Sequence, residues 1–231
     1  MTIKLTPLLL FATLWLGASP ATAETSPIMK ALFHIENDAF TPPAKNQALQ
    51  ALLAKHPALT FHEACGVGDT QEMARQLKRD PKLATAWSAF GWSPLHLAAF
   101  SGVPGAVQLV LDRGIDINAR ARSKFKNTPL QTALLSGQLA TARLLLEHGA
   151  DPLVRQAHGF TPLQEAALHG RRDLVDLLLG AGAELDSRAD DGRNAVTEAL
   201  RGNHPELADY LRSKGAHGAE ITANLTIGAP E

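Results

Sequence analysis

The stretch GWSPLHLAAFSGVPGAVQLVLDRGIDIN, residues 91–118, recurs in variant form on either side of itself, and this recurrence constrains the fold more than any other feature. Glycines mark its register. One series, Gly68, Gly102, Gly137 and Gly170 with Asn203 at its end, advances in steps of 34, 35, 33 and 33 residues. A second series, twelve residues further on, runs Asp80, Gly114, Gly149, Gly182 and Gly215. Glycine, and asparagine at some cost, adopts the left-handed backbone that ends helices. Two helices per period are therefore predicted, making five helix-turn-helix units with divergent first and last members. Such units cannot bury an apolar face alone and stack on their neighbours into a solenoid.

The first helices open on Ser93-Pro94, Thr128-Pro129 and Thr161-Pro162, a hydroxyl that caps followed by a proline whose missing N–H costs nothing at that position. Asn194-Ala195 replaces the pair in the last unit. The second helices carry the apolar face that joins neighbours: Met73, Ala74 and Leu77; Val107, Val110 and Leu111; Leu144, Leu145 and Leu146; Leu174, Leu177 and Leu178; Leu207, Tyr210 and Leu211. Ahead of the repeats, residues 28–35 and 44–55 show helical apolar spacing divided by Thr41-Pro42-Pro43. They read as two cap helices, with Leu49, Leu52 and Leu53 covering the open end of the stack.

The S-P-L-H-L-A of residues 93–98, followed by a small-residue turn, an apolar helix and G-x-D-x-N, resembles the T-P-L-H-x-A pattern of the ankyrin repeat, whose period is about 33 residues. The resemblance implies an all-α ankyrin-repeat solenoid with β-hairpin-like loops between units. The organisation is then a signal segment at 1–23, cap helices at 24–57, repeats at 58–216 (units near 58–90, 91–125, 126–158, 159–191 and 192–216) and a tail at 217–231. It also implies a role for His62 and His96 as the histidine of the pattern, a hydrogen-bonding strut between repeats, with Gln131 and Gln164 in its place further on.

The first residues have their own logic. Lys4 precedes an apolar run from Leu8 to Gly17, and Ala21-Thr22-Ala23 is a small-x-small cleavage site, the pattern of a secretory signal peptide. A membrane anchor needs about 20 apolar residues, and Pro20, Thr22 and Glu24 interrupt the run. The mature chain is thus expected to start at Glu24, free of the membrane and in the periplasm, since the chain resembles exported bacterial ankyrin proteins more than eukaryotic secreted ones. The sequon at Asn224 carries little weight for the same reason. With Lys4 removed, 21 basic residues face 23 acidic ones, a formal net of −2, which argues against nucleic acid as a partner. A single cysteine, Cys65, excludes an intrachain disulfide.

Catalytic patterns are missing. The residue four after His62 is Gly66, so His62-Glu63 opens no zincin helix, and neither a phosphate-binding glycine loop nor G-x-S-x-G occurs. Cys65 aligns with Ala99, Leu134, Ala167 and Leu200 in the first helices, positions expected to be core. The chain reads as a non-enzyme that needs neither cofactor nor metal.

Binding in this architecture falls to the loops and the concave face of the first helices. One loop row holds Trp92, Asn127, Phe160 and Arg193, and its neighbour Phe90, Phe125, His158 and Asp191. Leu97 and Phe100, Thr132 and Leu135, Glu165 and Leu168, and Glu198 and Arg201 are expected on the exposed side of the first helices. Aromatic residues, 5% of the chain, gather here, and charge replaces them in the last unit. Exposed aromatics anchor interfaces, although Phe125 and Phe160 fit equally well as shields over their own loop backbone. The loop ARARSKFK, residues 119–126, is two residues longer than the others and alternates cations. Phe90, Trp92, Phe100, Arg120, Arg122, Lys124, Phe125, His158 and Phe160 are therefore the candidate partner-binding residues. The partner is expected to be a protein, either a periplasmic toxin that the chain neutralises or a resident enzyme, linked to peroxide defence, that it supports. A self-associating envelope scaffold and an enzyme of unknown type are the alternatives.

Overall fold

The computed structural model of the chain describes residues 27–33, 47–55 and 58–217. The signal segment, the Thr41-Pro42-Pro43 break and the tail with Asn224 lie outside the described residues. Two short helices come first, α1 (Pro27–Phe33) and α2 (Gln47–Lys55). Five pairs follow: α3 (Phe61–Val67) and α4 (Thr70–Arg79), α5 (Pro94–Ser101) and α6 (Pro104–Leu111), α7 (Pro129–Leu135) and α8 (Leu139–Glu147), α9 (Pro162–Leu168) and α10 (Arg172–Gly180), α11 (Ala195–Arg201) and α12 (Pro205–Ser213). No strand occurs among the described residues.

Each inner helix starts with a reciprocal cap. Gln131 N–H donates to Thr128 Oγ1 at 3.3 Å while Thr128 N–H donates to Gln131 Oε1 at 2.9 Å, and Thr161 with Gln164 repeats both bonds. This is the capping box, which satisfies two N–H groups that a helix start leaves open. Helices of seven or eight residues do not hold alone in water, so the stack must supply the rest. The inner helices α3, α5, α7, α9 and α11 pack side by side, and the outer helices α4, α6, α8 and α10 form a second row behind them. Leu77, Val107, Leu145 and Leu178 are buried between the rows, whereas Ala74 is exposed. At the N-terminal end α1 packs on α2 and α3, and Ile28, Met29 and Leu49 join the same core.

The turn glycines have a second reason to be glycine besides their positive φ. A Cβ on Gly102 (φ 73°) would collide with the side chain of Gln138, and one on Gly68 with Val103 of the following unit. Asn203 adopts φ 65° as the first series requires, but Asp80 departs from the second, whose four glycines all have positive φ. Asp80 has φ −139°, and its carboxylate accepts Lys82 N–H to open a 3-10 helix, Pro81–Thr85, directly after the outer helix, where the other units have none.

The first unit also corrects the histidine register. The capping-box partner of Thr60 is Glu63, so His62 does not occupy the position of His96. Its inner helix is one residue shorter between cap and glycine, and two roles combined in His96 are divided: Glu63 closes the cap, and His62 Nε2 bonds Ala86 O at 2.9 Å.

Candidate protein-binding face

Four loops join the units, each closed by one backbone bond: Ser88 N–H to Trp92 O, Ala121 N–H to Asn127 O, Gln156 N–H to Phe160 O, and Ala189 N–H to Arg193 O, all at 2.8 to 2.9 Å. The second spans two residues more than the rest, as its length predicts. Consecutive loops are tied tip to tip, because Arg122 N–H donates to Gly91 O, Ala157 N–H to Phe125 O and Asp190 N–H to His158 O. Side chains from the inner helices brace them from behind. His96 Nε2–H donates to Asn127 O at 2.9 Å, Gln131 to Val154 O at 3.1 Å and Gln164 to Arg193 O at 2.7 Å. The loops therefore form a connected array rather than separate flexible tips.

This array overturns the exposed aromatic patch. Trp92, Phe100 and Phe160 retain only 5%, 6% and 7% of their surface. Each loop folds back over its own inner helix, so the residue before the cap lies on that helix instead of in solvent. Trp92 meets Phe100 edge to face at 6.0 Å, and Phe160 clusters with Leu168 and Ala189. Leu97, Thr132, Glu165 and Glu198, expected on the open side, are buried for the same reason; Leu135 is half-buried and Arg201 exposed. Phe90 and Phe125 are half-buried, and His158, at φ 62°, is exposed.

Where the row becomes charged, burial is met by pairing. Glu198 is fully covered, with Arg201 Nη2 at 2.6 Å and Arg193 Nη1 at 2.9 Å. Burial pushes its carboxyl up, and the two guanidinium groups oppose the shift. Glu165, equally covered, accepts from Gln156 Nε2 at 3.0 Å and lies 2.9 Å from His169 Nε2. Both carboxylates are thus held by pairs internal to the chain, although the Arg193 contact to Glu198 Oε1 is an ion pair without hydrogen-bond geometry.

The basic loop gathers more cations than any other loop of this face. Arg120, Arg122, Lys124 and Lys126 are all exposed, and none forms an ion pair among the described residues. The Arg122 guanidinium lies 4.3 Å over the Trp87 ring, and Lys124 Nζ 5.1 Å from the Phe125 ring. Sequence reasoning missed Trp87, which follows the 3-10 helix peculiar to the first unit and so has no aromatic counterpart in later units to draw attention to it. Lys126, the last cation of the 119–126 loop, is absent from the sequence-derived candidates. It has φ 55° where the equivalent residues are Gly91, Gly159 and Gly192, a departure visible once the loops are aligned.

Cys65 is buried, and burial pushes its thiol up, which leaves an inert core sulfur. No group of His, Cys, Asp or Glu suited to a metal ion occurs among the described residues, and no helix there is long and apolar enough to cross a membrane. Compared with known proteins, the chain matches a family model described as ankyrin repeats (3 copies) over residues 44–156, 118–189 and 153–224, which together span most of its length. A search of curated proteins finds no match.

Proposed function

The chain belongs to the ankyrin-repeat family, a family of protein–protein interaction modules, and from that premise we propose that it is an exported, non-catalytic binding protein that holds one partner protein on its row of inter-repeat loops. The observation that carries this reading is the tip-to-tip bonding of the loops, Arg122 to Gly91, Ala157 to Phe125 and Asp190 to His158. A surface already ordered before binding does not lose that conformational entropy when the partner arrives. Export rests on the apolar run and Ala21-Thr22-Ala23 near the start of the chain, and would place the partner in the periplasm.

Two roles fit such a module: neutralising an incoming toxin, or supporting a resident enzyme such as one of peroxide defence. They are separated by the partner's activity, which the first lowers and the second preserves or raises. Cross-linking in intact cells, followed by fractionation, tests the whole reading. A partner recovered with the mature chain from the periplasmic fraction, and lost when Arg122, Phe125 and His158 are changed together, supports it. Retention in the cytoplasm refutes export, and an undiminished cross-link in the triple variant refutes the loop face.

A further inference from the structure

The charges of the loop array repeat as the helices do. Arg120, Arg155 and Arg188 occupy equivalent places, each immediately before the residue whose N–H closes its loop. All three are exposed, and none forms an ion pair among the described residues. Arg155 and Arg188 each give one Nη1–H to a backbone carbonyl, that of Arg188 at 2.7 Å and that of Gly192 at 2.8 Å. The row is densest at the long loop, where Arg122, Lys124 and Lys126 are added within six residues of Arg120.

Three features separate this loop from an ordinary solvated tip. Its two extra residues supply added length that closure does not need, since the loops at 88–92, 156–160 and 189–193 close without them. Lys126 holds a left-handed backbone conformation that strains an L-residue and that glycine adopts freely in the other three loops. Arg122 is stacked on Trp87, which restricts its planar fork before any ligand arrives and leaves its edge free for a bidentate acceptor.

We propose that residues 120–126, extended by Arg155, form a docking site for a carboxylate-rich segment of the partner protein; this rests on the reading of the chain as a binding module. A nucleic acid or an anionic membrane fits less well. Four residues before each arginine of the row lies an exposed carboxylate, Asp116, Asp151 or Glu184, and Asp190 and Asp191 are exposed on the last loop. A continuous polyanion meets these as like charges, whereas a protein segment places its acidic residues only opposite the cations.

The test is fluorescence anisotropy with the purified full chain and a labelled decapeptide of alternating Glu and Ser, against the same peptide with Gln for Glu. A short DNA duplex and vesicles of mixed phosphatidylserine and phosphatidylcholine are the competing probes. The Glu peptide is expected to bind at low salt and at least tenfold more tightly than the Gln peptide. That affinity should fall at least tenfold in R120Q/R122Q/K124Q/K126G, but not in K78Q/R79Q/R113Q, whose changes lie at the end of the outer helix α4 and in the turn after α6. Arg122→Glu alone, an exposed single change, serves if the quadruple variant does not fold. Equal loss in both multiple variants, no binding of the Glu peptide, or tighter binding of duplex or vesicle overturns the proposal. A cross-linked partner that the loop variant keeps but a change at Phe125 and His158 loses would end this proposal while leaving the binding-module reading intact.

Discussion

His96 offers the sharpest test of how the loops are braced. Its ring is fully covered, flanked by Trp87 at 6.1 Å and Trp92 at 6.2 Å, with Nδ1 2.7 Å from Ser93 Oγ and Nε2–H donating to Asn127 O. Burial pulls its pKa down from the ordinary 6.5 to about 4. Between those values the unfolded chain binds a proton that the folded chain refuses. Stability is therefore complete above pH 6.5, falls as the pH drops, and stops falling from this source below pH 4. The full shift corresponds to about 3 kcal/mol, of which about 2 kcal/mol is lost by pH 5. His96→Gln removes the titration while keeping the brace, because Gln164 makes the equivalent two bonds, accepting Thr161 N–H and donating to Arg193 O, the counterpart of Asn127 O. Urea unfolding of both proteins from pH 7.5 to pH 5, followed by circular dichroism, isolates the effect, since other acid-sensitive groups are common to both. The wild type should lose about 2 kcal/mol more than the variant over this range. Parallel curves would show that His96 is not held neutral, and would remove the argument that its imidazole is a buried structural strut.

Trp92→Ala should destabilise by about 3 to 5 kcal/mol, comparable to Leu145→Ala at about 2 to 5 kcal/mol, because both side chains are buried; thermal melts in which only Leu145→Ala unfolds early would restore the exposed-patch view. Thr141 Oγ1 is buried without a hydrogen-bond partner among the described residues, so Thr141→Val should raise unfolding free energy by about 1 kcal/mol, and a lower melting temperature would reveal a bond to that hydroxyl. Lys126→Gly relieves the left-handed backbone and, after the added freedom of glycine in the unfolded chain, should stabilise by up to about 1 kcal/mol, read in the same melts, while weakening the Glu-peptide interaction. A fall in stability would mean that the Lys126 side chain supports the loop.

The number of units, the order of the helices and the places where they start and stop follow from the sequence, because each depends on local chemistry. A hydroxyl before proline caps a helix, and a glycine at a fixed interval ends one, whatever surrounds them. The extra length and charge of the 119–126 loop are legible for the same reason. The fate of Trp92, Phe100 and Phe160 is not. Their positions vary from unit to unit, which resembles the freedom of a surface residue, but variation also arises where a loop and its own helix change together: Trp92 on Phe100, Phe160 on Leu168, Arg193 on Glu198. Whether such a side chain faces solvent depends on how the loop folds back, and that is set by hydrogen bonds to residues about thirty positions away, as in His96 to Asn127 and Gln164 to Arg193. Local periodicity carries no information about those contacts, so only the stacked structure decides that the aromatics belong to the interior and leaves the unpaired cations as the outward part of the loops.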